Sequence, residues 1–412
     1  MRAWRARTDL PGRESGTTTG AHMAENIELT IVMPCLNEAE TLATCIRKAH
    51  AGLKAAGIAG EVLIADNGST DGSIEIAGQE GARVEHIKAK GYGNALRGGF
   101  DAARSPWIMM GDSDDSYDFS NITGFIQKLR EGNELVMGCR LPNGGGTIAP
   151  GAMPWKNRWL GNPVLSFIGR LLFKTPIHDF HCGMRAFSAE GYRKMDLQTT
   201  GMEFASEMVM KSQLKGLRMA EVPITLHPDG RSRPPHLKPW RDGWRHLRFM
   251  LIYSPKWLFF VPGMVLGALG SLTMLAVLGG FGNLGGVTLD VGTLVIASMA
   301  MILGNQLVAQ AFYAKVFAVG EGLLPNDPAF AGLFKKWNLE KGCVLGALLT
   351  LAGLGILAWA IWAWRDAHFG HLDYSANLRR LIPGATITIL GLQTIFSSFH
   401  LSVLGLKTLG RK

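Results

Sequence analysis

Cysteine is scarce and shows no pairing by spacing: five residues in 412 (Cys35, Cys45, Cys139, Cys182, Cys343) and no CxxC. That argues against a disulfide scaffold and structural zinc, and fits a reducing compartment. Charge is thin as well, at 18% of residues against 47% hydrophobic. No GxxxxGK[ST] loop occurs, and Gly91-Tyr92-Gly93 lacks the third glycine of a dinucleotide fingerprint, so the two common nucleotide-phosphate motifs are missing. The polar, Gly/Thr-rich start of the chain has no apolar core of the kind an export signal needs. This predicts a disordered extension over residues 1–26, and a cytoplasmic location for the first 255 residues.

What is present is divided sharply near Pro255. Beyond it lie four long stretches without a charged residue: Trp257–Thr288, Val291–Ala314, Cys343–Trp364 and Leu381–Leu406. Each exceeds the roughly 20 residues a helix needs to cross a bilayer core, and none carries the polar stripe of a soluble buried helix. The expected membrane domain is residues 257–412, with spans near 257–281, 291–314, 343–364 and 381–406. Basic residues before the first span (Arg241, Arg245, Arg248, Lys256), in the second loop (Lys315, Lys335, Lys336, Lys341) and in the tail (Lys407, Arg411, Lys412) put both termini in the cytoplasm. The third loop, with Arg365, Arg379 and Arg380, dissents.

Up to that boundary, short apolar runs alternate with helical patterns. ELTIVMP (28–34), EVLIA (61–65), ARVEHI (82–87), WIMM (107–110) and ELVMG (134–138) read as strands. Helices are expected over about 39–56, after KGYGNALRGGF opens one, and from near Ser120. The pattern implies an open, mostly parallel sheet over residues 27–238, with ligands beyond the carboxyl ends of its strands. PCLNE, DNGST, GDSDD and GCR all stand at such ends. The segment 239–256 places Trp240, Trp244, Leu247 and Leu251 on one helical face and Arg241, Arg245 and Arg248 on the next. That describes a helix lying in the membrane interface.

GDSDDSYDF (111–119) packs Asp112, Asp114, Asp115 and Asp118 behind WIMM in a chain of net charge +9. Carboxylates at i and i+2 in a turn after a strand suit a hard divalent cation shared with a diphosphate. Asp118 reads as an N-cap for the helix near Ser120, which leaves Asp112 and Asp114 without a capping duty. Arg140, Arg158, Arg185, Arg231 and Arg233 would anchor the phosphates that the metal does not hold. In HDFHC (178–182) two His and a Cys stand together with no second ligand cluster to complete a zinc site.

IVMPCLNEAETL, ADNGSTDGS, Asp112-Ser113-Asp114, GCR (138–140), HDFHCGMRAF and AEVPI, in this order, resemble the family 2 glycosyltransferases over roughly residues 27–255. The closest branch is the polyprenyl-phosphate hexose synthases, similar to dolichol-phosphate mannose synthase. The resemblance implies a GT-A fold, a nucleotide-sugar donor of the UDP-glucose or GDP-mannose type, Mg²⁺ or Mn²⁺, and inversion at the anomeric carbon. It implies that Pro34, Glu38, Asp66 and Ser113 line the nucleotide pocket, and that Asp112 and Asp114 hold the metal and act in catalysis. Ser116 stands where relatives carry Gln as a further metal contact. Arg140 and Arg158 correspond to the acceptor-phosphate pair, and Arg231 and Arg233 to the loop over the donor diphosphate. Two positions depart from the pattern: Asn67 replaces the second acid of DDGS, and GCR replaces GSR.

A lipid monophosphate acceptor, largely dianionic at pH 7, needs no general base. Glu203 and Glu207 in GMEFASEM would serve as one if the acceptor were a sugar, or else pair within a helix. The expected partners are therefore a nucleotide sugar, a polyprenyl phosphate and the membrane, with room for a homo-oligomer through the spans and no nucleic acid. A polysaccharide- or glycolipid-forming enzyme with a hydroxyl acceptor is the alternative, although no QxxRW motif occurs. A non-catalytic scaffold would leave the acidic and basic set unexplained.

Overall fold

The computed structural model describes residues 27–232 and 239–409, apart from 282, 285–286, 326–327, 329, 331, 333–337, 367 and 372. The expected N-terminal extension, Arg233, Lys335, Lys336, Arg411 and Lys412 lie outside the described residues.

The first strand, β1 (Leu29–Cys35), is buried along nearly its whole length, as an apolar run covered on both sheet faces must be. It is followed by α1 (Leu42–Ala55), β2 (Gly60–Asp66), α2 (Ser73–Gln79), β3 (Arg83–His86), α3 (Tyr92–Ala102) and β4 (Trp107–Met110). Then come α4 (Thr123–Arg130), β5 (Leu135–Cys139), β6 (Thr147–Ile148), a π-helical turn Asn157–Gly161 and α5 (Asn162–Phe173). The domain closes with β7 (Arg185–Ser188), α6 (Ala189–Met195), α7 (Phe204–Leu214), β8 (Met219–Pro223) and β9 (Thr225–Leu226).

Seven strands form one sheet in the order β3-β2-β1-β4-β7-β5-β8. It is parallel except for β7, which runs antiparallel to both β4 and β5. The five strands predicted from apolar runs are present within a residue or two. β7 was not predicted, because Arg-Ala-Phe-Ser has no apolar run and begins with a charge. Its insertion separates β4 from β5, so the DSD and GCR loops open on either side of β7's start. In-register pairing of Cys35 with Asp66 and of Val32 with Met110 brings the PCLNE, DNGST and GDSDD loops to one edge. One helix start needs correction: α4 begins at Thr123, and its N-cap, Ile122, makes no side-chain cap. Asp118 instead closes a turn, accepting from the Ser120 amide at 3.0 Å and hydroxyl at 2.5 Å.

After the sheet, α8 (Pro239–Ile252) leads through a π-helical turn, Lys256–Phe260, into α9 (Val261–Leu278). A small hairpin, β10 (Asn283–Leu284) and β11 (Val287–Thr288), precedes α10 (Val291–Gly320), α11 (Leu339–Asp366) and α12 (Tyr374–Leu409). Among the described residues the long helices number the four predicted, and all but the first run past the predicted bounds; α10 continues beyond Lys315. They pack on small residues, as helices in lipid do. A Cβ on Gly263 would lie 2.8 Å from Gly304 O in the α9–α10 seam, and one on Gly391 would lie 2.7 Å from Gly346 O in the α11–α12 seam. The dissenting third-loop arginines all have partners. Arg379 pairs with Asp290 at 3.0 Å, Arg365 lies over Trp362 and Arg380 over Trp359.

Candidate active site

Two residues in the left-handed region shape the loops at the sheet edge: Asn37 (φ 60°) and Asp115 (φ 64°). Such strain persists where the surroundings over-determine it. Asn37 Oδ1 accepts from the Thr70 amide at 2.8 Å, and Asp115 Oδ1 pairs with Lys48 Nζ at 2.7 Å. The acidic turn is laced to β1: Ser113 Oγ donates to Pro34 O at 2.7 Å and Thr41 Oγ1 to Ser113 O at 2.6 Å. Ser113 is thus committed to joining the two loops.

Asp114 Oδ1 accepts from the Ser116 amide at 3.1 Å and hydroxyl at 2.5 Å. Its Oδ2 pairs with Arg231 Nη2 at 2.7 Å, and Arg231 reaches Glu38 Oε1 at 3.3 Å and Asp229 Oδ2 at 3.1 Å. Residues far apart in sequence therefore close over the acidic turn. Asp112 Oδ1 accepts from Tyr92 Oη at 3.0 Å. Burial, joined by the negative charge of Asp114, pushes the Asp112 carboxyl up to about 6. A carboxylate pair held against its own repulsion, with oxygen atoms only, fits a hard divalent cation that keeps substrate phosphates in its shell. Among the described residues no group of three or more His, Cys, Asp or Glu forms a complete cage, so substrate oxygens would have to finish the shell.

Asp66 ends β2 buried. Burial would raise its carboxyl, but hydrogen bonds from Ser69, His86 and Gly68 outweigh that and hold it below the usual range. Its two oxygens accept from the Ser69 amide at 2.9 Å and the Gly68 amide at 3.1 Å. The departure at Asn67 has a physical reason. Its Nδ2 donates to Ile87 O at 2.9 Å and Ala89 O at 2.8 Å, while its Oδ1 accepts from the Gly91 amide at 2.9 Å. A carboxylate only accepts, so an Asp here would face two carbonyl oxygens with no hydrogen to give them.

Arg140 is buried and already clamped. Nε and Nη2 reach Asp179 Oδ2 and Oδ1 at 2.7 and 2.9 Å, and Nη1 donates to Tyr117 Oη at 3.4 Å. Tyr117 in turn accepts from the Gly183 amide at 2.8 Å. Sequence reasoning missed Asp179, Tyr117 and Tyr92, although all three sit in quoted motifs, because none has a partner within sequence reach. Arg158 stands apart on the π-helical turn, its guanidinium 5.5 Å from the Trp159 ring centre. Glu207 is buried and structural: it pairs with Lys211 at 2.9 Å and accepts from the Gln198 and Thr199 amides. Its neighbour Glu203 keeps a buried Oε2 without a hydrogen-bond partner. The histidines of HDFHC divide: His178 Nδ1 meets Glu221 at 2.7 Å, and His181 packs edge-on against His246 with ring centres 4.6 Å apart.

The Glycosyl transferase family 2 pattern matches residues 30–196, which span this sheet and its acidic turn. The family 2 C-terminal transmembrane region matches residues 312–405. A low-salt glycan biosynthesis hexosyltransferase, Agl6 of Haloferax volcanii, is 35% identical over 378 residues, covering 92% of this chain and 89% of that protein. The chain belongs to the family 2 glycosyltransferases. A dolichyl-phosphate hexose transferase of Haloferax volcanii is 32% identical over 165 residues, 40% of this glycosyltransferase and 68% of that protein. Among solved structures, glucosyl-3-phosphoglycerate synthase from Mycobacterium tuberculosis, in complex with Mn²⁺ and UDP, is 19% identical with a TM-score of 0.43, covering 55% of this chain and 80% of that one. The glycosyltransferase has a GT-A catalytic domain with a membrane domain of four apolar helices behind it.

Proposed function

We propose that this membrane glycosyltransferase moves a hexose from a nucleotide sugar to a polyprenyl phosphate, with inversion. The observation that carries the acceptor class is the set of exposed aromatics, Trp155, Trp159, Trp240 and Trp244, about the turn that holds Arg158; of the two glutamates considered as a base, only Glu203 keeps an open oxygen. Glu207 is spent on Lys211 and two backbone amides, while the carboxylates at the acidic turn are spent on Arg231, Ser116 and Tyr92. A phosphate acceptor brings its own negative oxygen, which attacks C1 of the sugar as the C1–O bond to the diphosphate breaks, with no proton to remove.

Asp112 and Asp114 would hold Mg²⁺ or Mn²⁺, which when bound supplies Lewis-acid charge at the leaving diphosphate. Arg231, now on Asp114, is placed to turn to the diphosphate once that carboxylate's charge is taken up, and Arg233, two residues on in the sequence, would add a second cation. Pro34, Glu38 and Asp66 form the nucleotide side. Arg140, its fork filled by Asp179, offers field and its Nη1 edge only, so Arg158 becomes the main acceptor-phosphate anchor. It lies on a segment whose Trp155 and Trp159, with Phe167 on α5, are exposed, beside α8 with exposed Trp240 and Trp244. Such aromatics suit the headgroup level of a bilayer, where a lipid phosphate sits. The partnered third-loop arginines weaken the one objection to placing both termini and the catalytic domain in the cytoplasm.

The test uses membranes containing the full chain, a radiolabelled nucleotide hexose and Mn²⁺. Label should enter chloroform-extractable, mild-acid-labile material only when polyprenyl phosphate is present. Label in acid-stable glycolipid or polymer would favour the hydroxyl-acceptor alternative.

A further inference from the structure

Polar side chains inside a membrane helix normally face other helices. On α10 and α12 some do not. A groove of about 740 Å³ runs between these helices, lined by Gln306, Gln310 and Tyr313 from one and Gln393, Ser397 and His400 from the other. Gln306, Gln310 and His400 are exposed, toward what the apolar sequence makes lipid. A bridge of amides crosses the seam, with Asn305 Nδ2 donating to Gln393 Oε1 at 2.9 Å and Gln393 Nε2 to Gln306 Oε1 at 3.2 Å. No hydrogen-bond partner among the described residues reaches the Gln310 amide. Tyr313 and His400 stack with ring centres 4.2 Å apart. Phe259, from the turn that joins α8 to α9, lines the groove as well, so its mouth is on the side of the catalytic domain. At 1.5 Å per residue Gln306 lies roughly 20 Å above the end of α10 at Gly320, near mid-bilayer.

Three occupants compete. A bare phosphate would want a cation, and the lining holds no Lys or Arg. A second copy would want small residues, which are already used inside the α9–α10 and α11–α12 seams. Neutral groups that both donate and accept, beside stacked rings, in a pocket of ligand size, match sugar hydroxyls. We propose that this groove binds the sugar headgroup of the enzyme's own lipid-linked product, drawing it from the catalytic edge into the membrane while the prenyl chain stays in lipid. The groove opens laterally, so a lipid-borne sugar can enter without leaving the bilayer. The inference rests on the lipid-phosphate reading of the active site.

The test measures binding of three probes to the full chain in nanodiscs: farnesyl phosphate and its glucosyl and mannosyl phosphodiesters. Gln310→Leu combined with His400→Phe keeps helix propensity and apolar fit. It should weaken binding of at least one phosphodiester by roughly tenfold, about the worth of a lost pair of hydrogen bonds, and leave farnesyl phosphate binding and nucleotide affinity unchanged. Equal phosphodiester binding by variant and wild type, or no binding by wild type, overturns the proposal. Loss of an oligomer in the variant, read by native mass spectrometry with phosphodiester binding intact, overturns it in favour of a second copy. If the wild type fails to glycosylate farnesyl phosphate yet binds a phosphodiester in this groove, the active-site reading has failed; the groove then stands as a lipid-linked-sugar site, and its assignment to the enzyme's own product is overturned.

Discussion

Asp114 serves two partners, and a substitution can separate them. Asp114→Asn keeps an oxygen for Ser116 and removes the charge. Transfer should fall roughly a thousandfold, because metal-centred charge stabilisation is worth several kcal/mol, with native circular dichroism. Turnover close to wild type would contradict the metal role. Asp112 makes the complementary case. Its carboxyl is raised from 3.8 to about 6 by burial and by Asp114, so in the folded state it resists the charge it must carry at pH 7. Stability from this group is complete below pH 4 and lost as pH rises through 6. Asp112→Asn should therefore raise the metal-free stability at pH 7 by on the order of 1–3 kcal/mol, read as a higher melting temperature; an unchanged or lower one rejects the repulsion argument. The charges themselves were legible, since four acids behind WIMM in a basic chain ask for a cation. Their partners were not: Arg231 arrives from a loop and Tyr92 from the start of α3, and where each comes to lie depends on the whole sheet. Asn67 is the sharper lesson. It read as a departure from a motif, whereas its two donated bonds to Ile87 O and Ala89 O make it the residue this loop requires. Asn67→Asp, which restores the motif, should cost roughly 2–3 kcal/mol in urea unfolding; a stability gain would show that the loop tolerates a carboxylate.

At the scale of elements, α7 and α8 meet the HDFHC loop through a histidine pair. Ser206 Oγ lies 2.8 Å from His246 Nδ1 and 3.3 Å from His181 Nε2. Burial drives His246 from 6.5 down to about 4 and lowers His181 well below its ordinary value. For a His with a depressed folded value, stability is present above 6.5 and lost as pH falls toward 4, about 3 kcal/mol for His246. Asp112 acts in the opposite direction over part of that window. The His contribution is therefore read as the difference between wild type and His246→Asn, with the wild type expected to lose more on acidification; parallel profiles would remove the pair from the account. This contact joins α8 to the site loop, and nothing in HDFHC alone pointed to it, because its partner lies on α8. The apolar strands and the four long helices were legible because burial on both faces and immersion in lipid each leave continuous apolar runs. β7 was not, because a four-residue strand opening on a buried Arg185 takes its stability from carbonyl partners at Cys182, Ala205 and Phe180, not from an apolar pattern.

For the molecule as a whole, the claim is that a GT-A domain faces the bilayer through α5 and α8 and takes its acceptor from it. Trp240→Ser with Trp244→Ser in the full chain should raise KM for a long-chain polyprenyl phosphate several-fold and leave KM for farnesyl phosphate unchanged, since interfacial aromatics act on the lipid's approach. An equal change for both acceptors would place the pair in the site and not at the surface. The measurement that bears most directly on the central claim is ³¹P NMR of the purified full chain with farnesyl phosphate, Mn²⁺-free Mg²⁺ buffer and, in turn, UDP-glucose and GDP-mannose. One donor should convert the farnesyl phosphomonoester resonance into a phosphodiester while free nucleoside diphosphate appears in equal amount, and neither should do so in EDTA. Donor turnover with the monoester resonance intact would contradict the claim, because the sugar would then have gone to an acceptor other than the lipid phosphate.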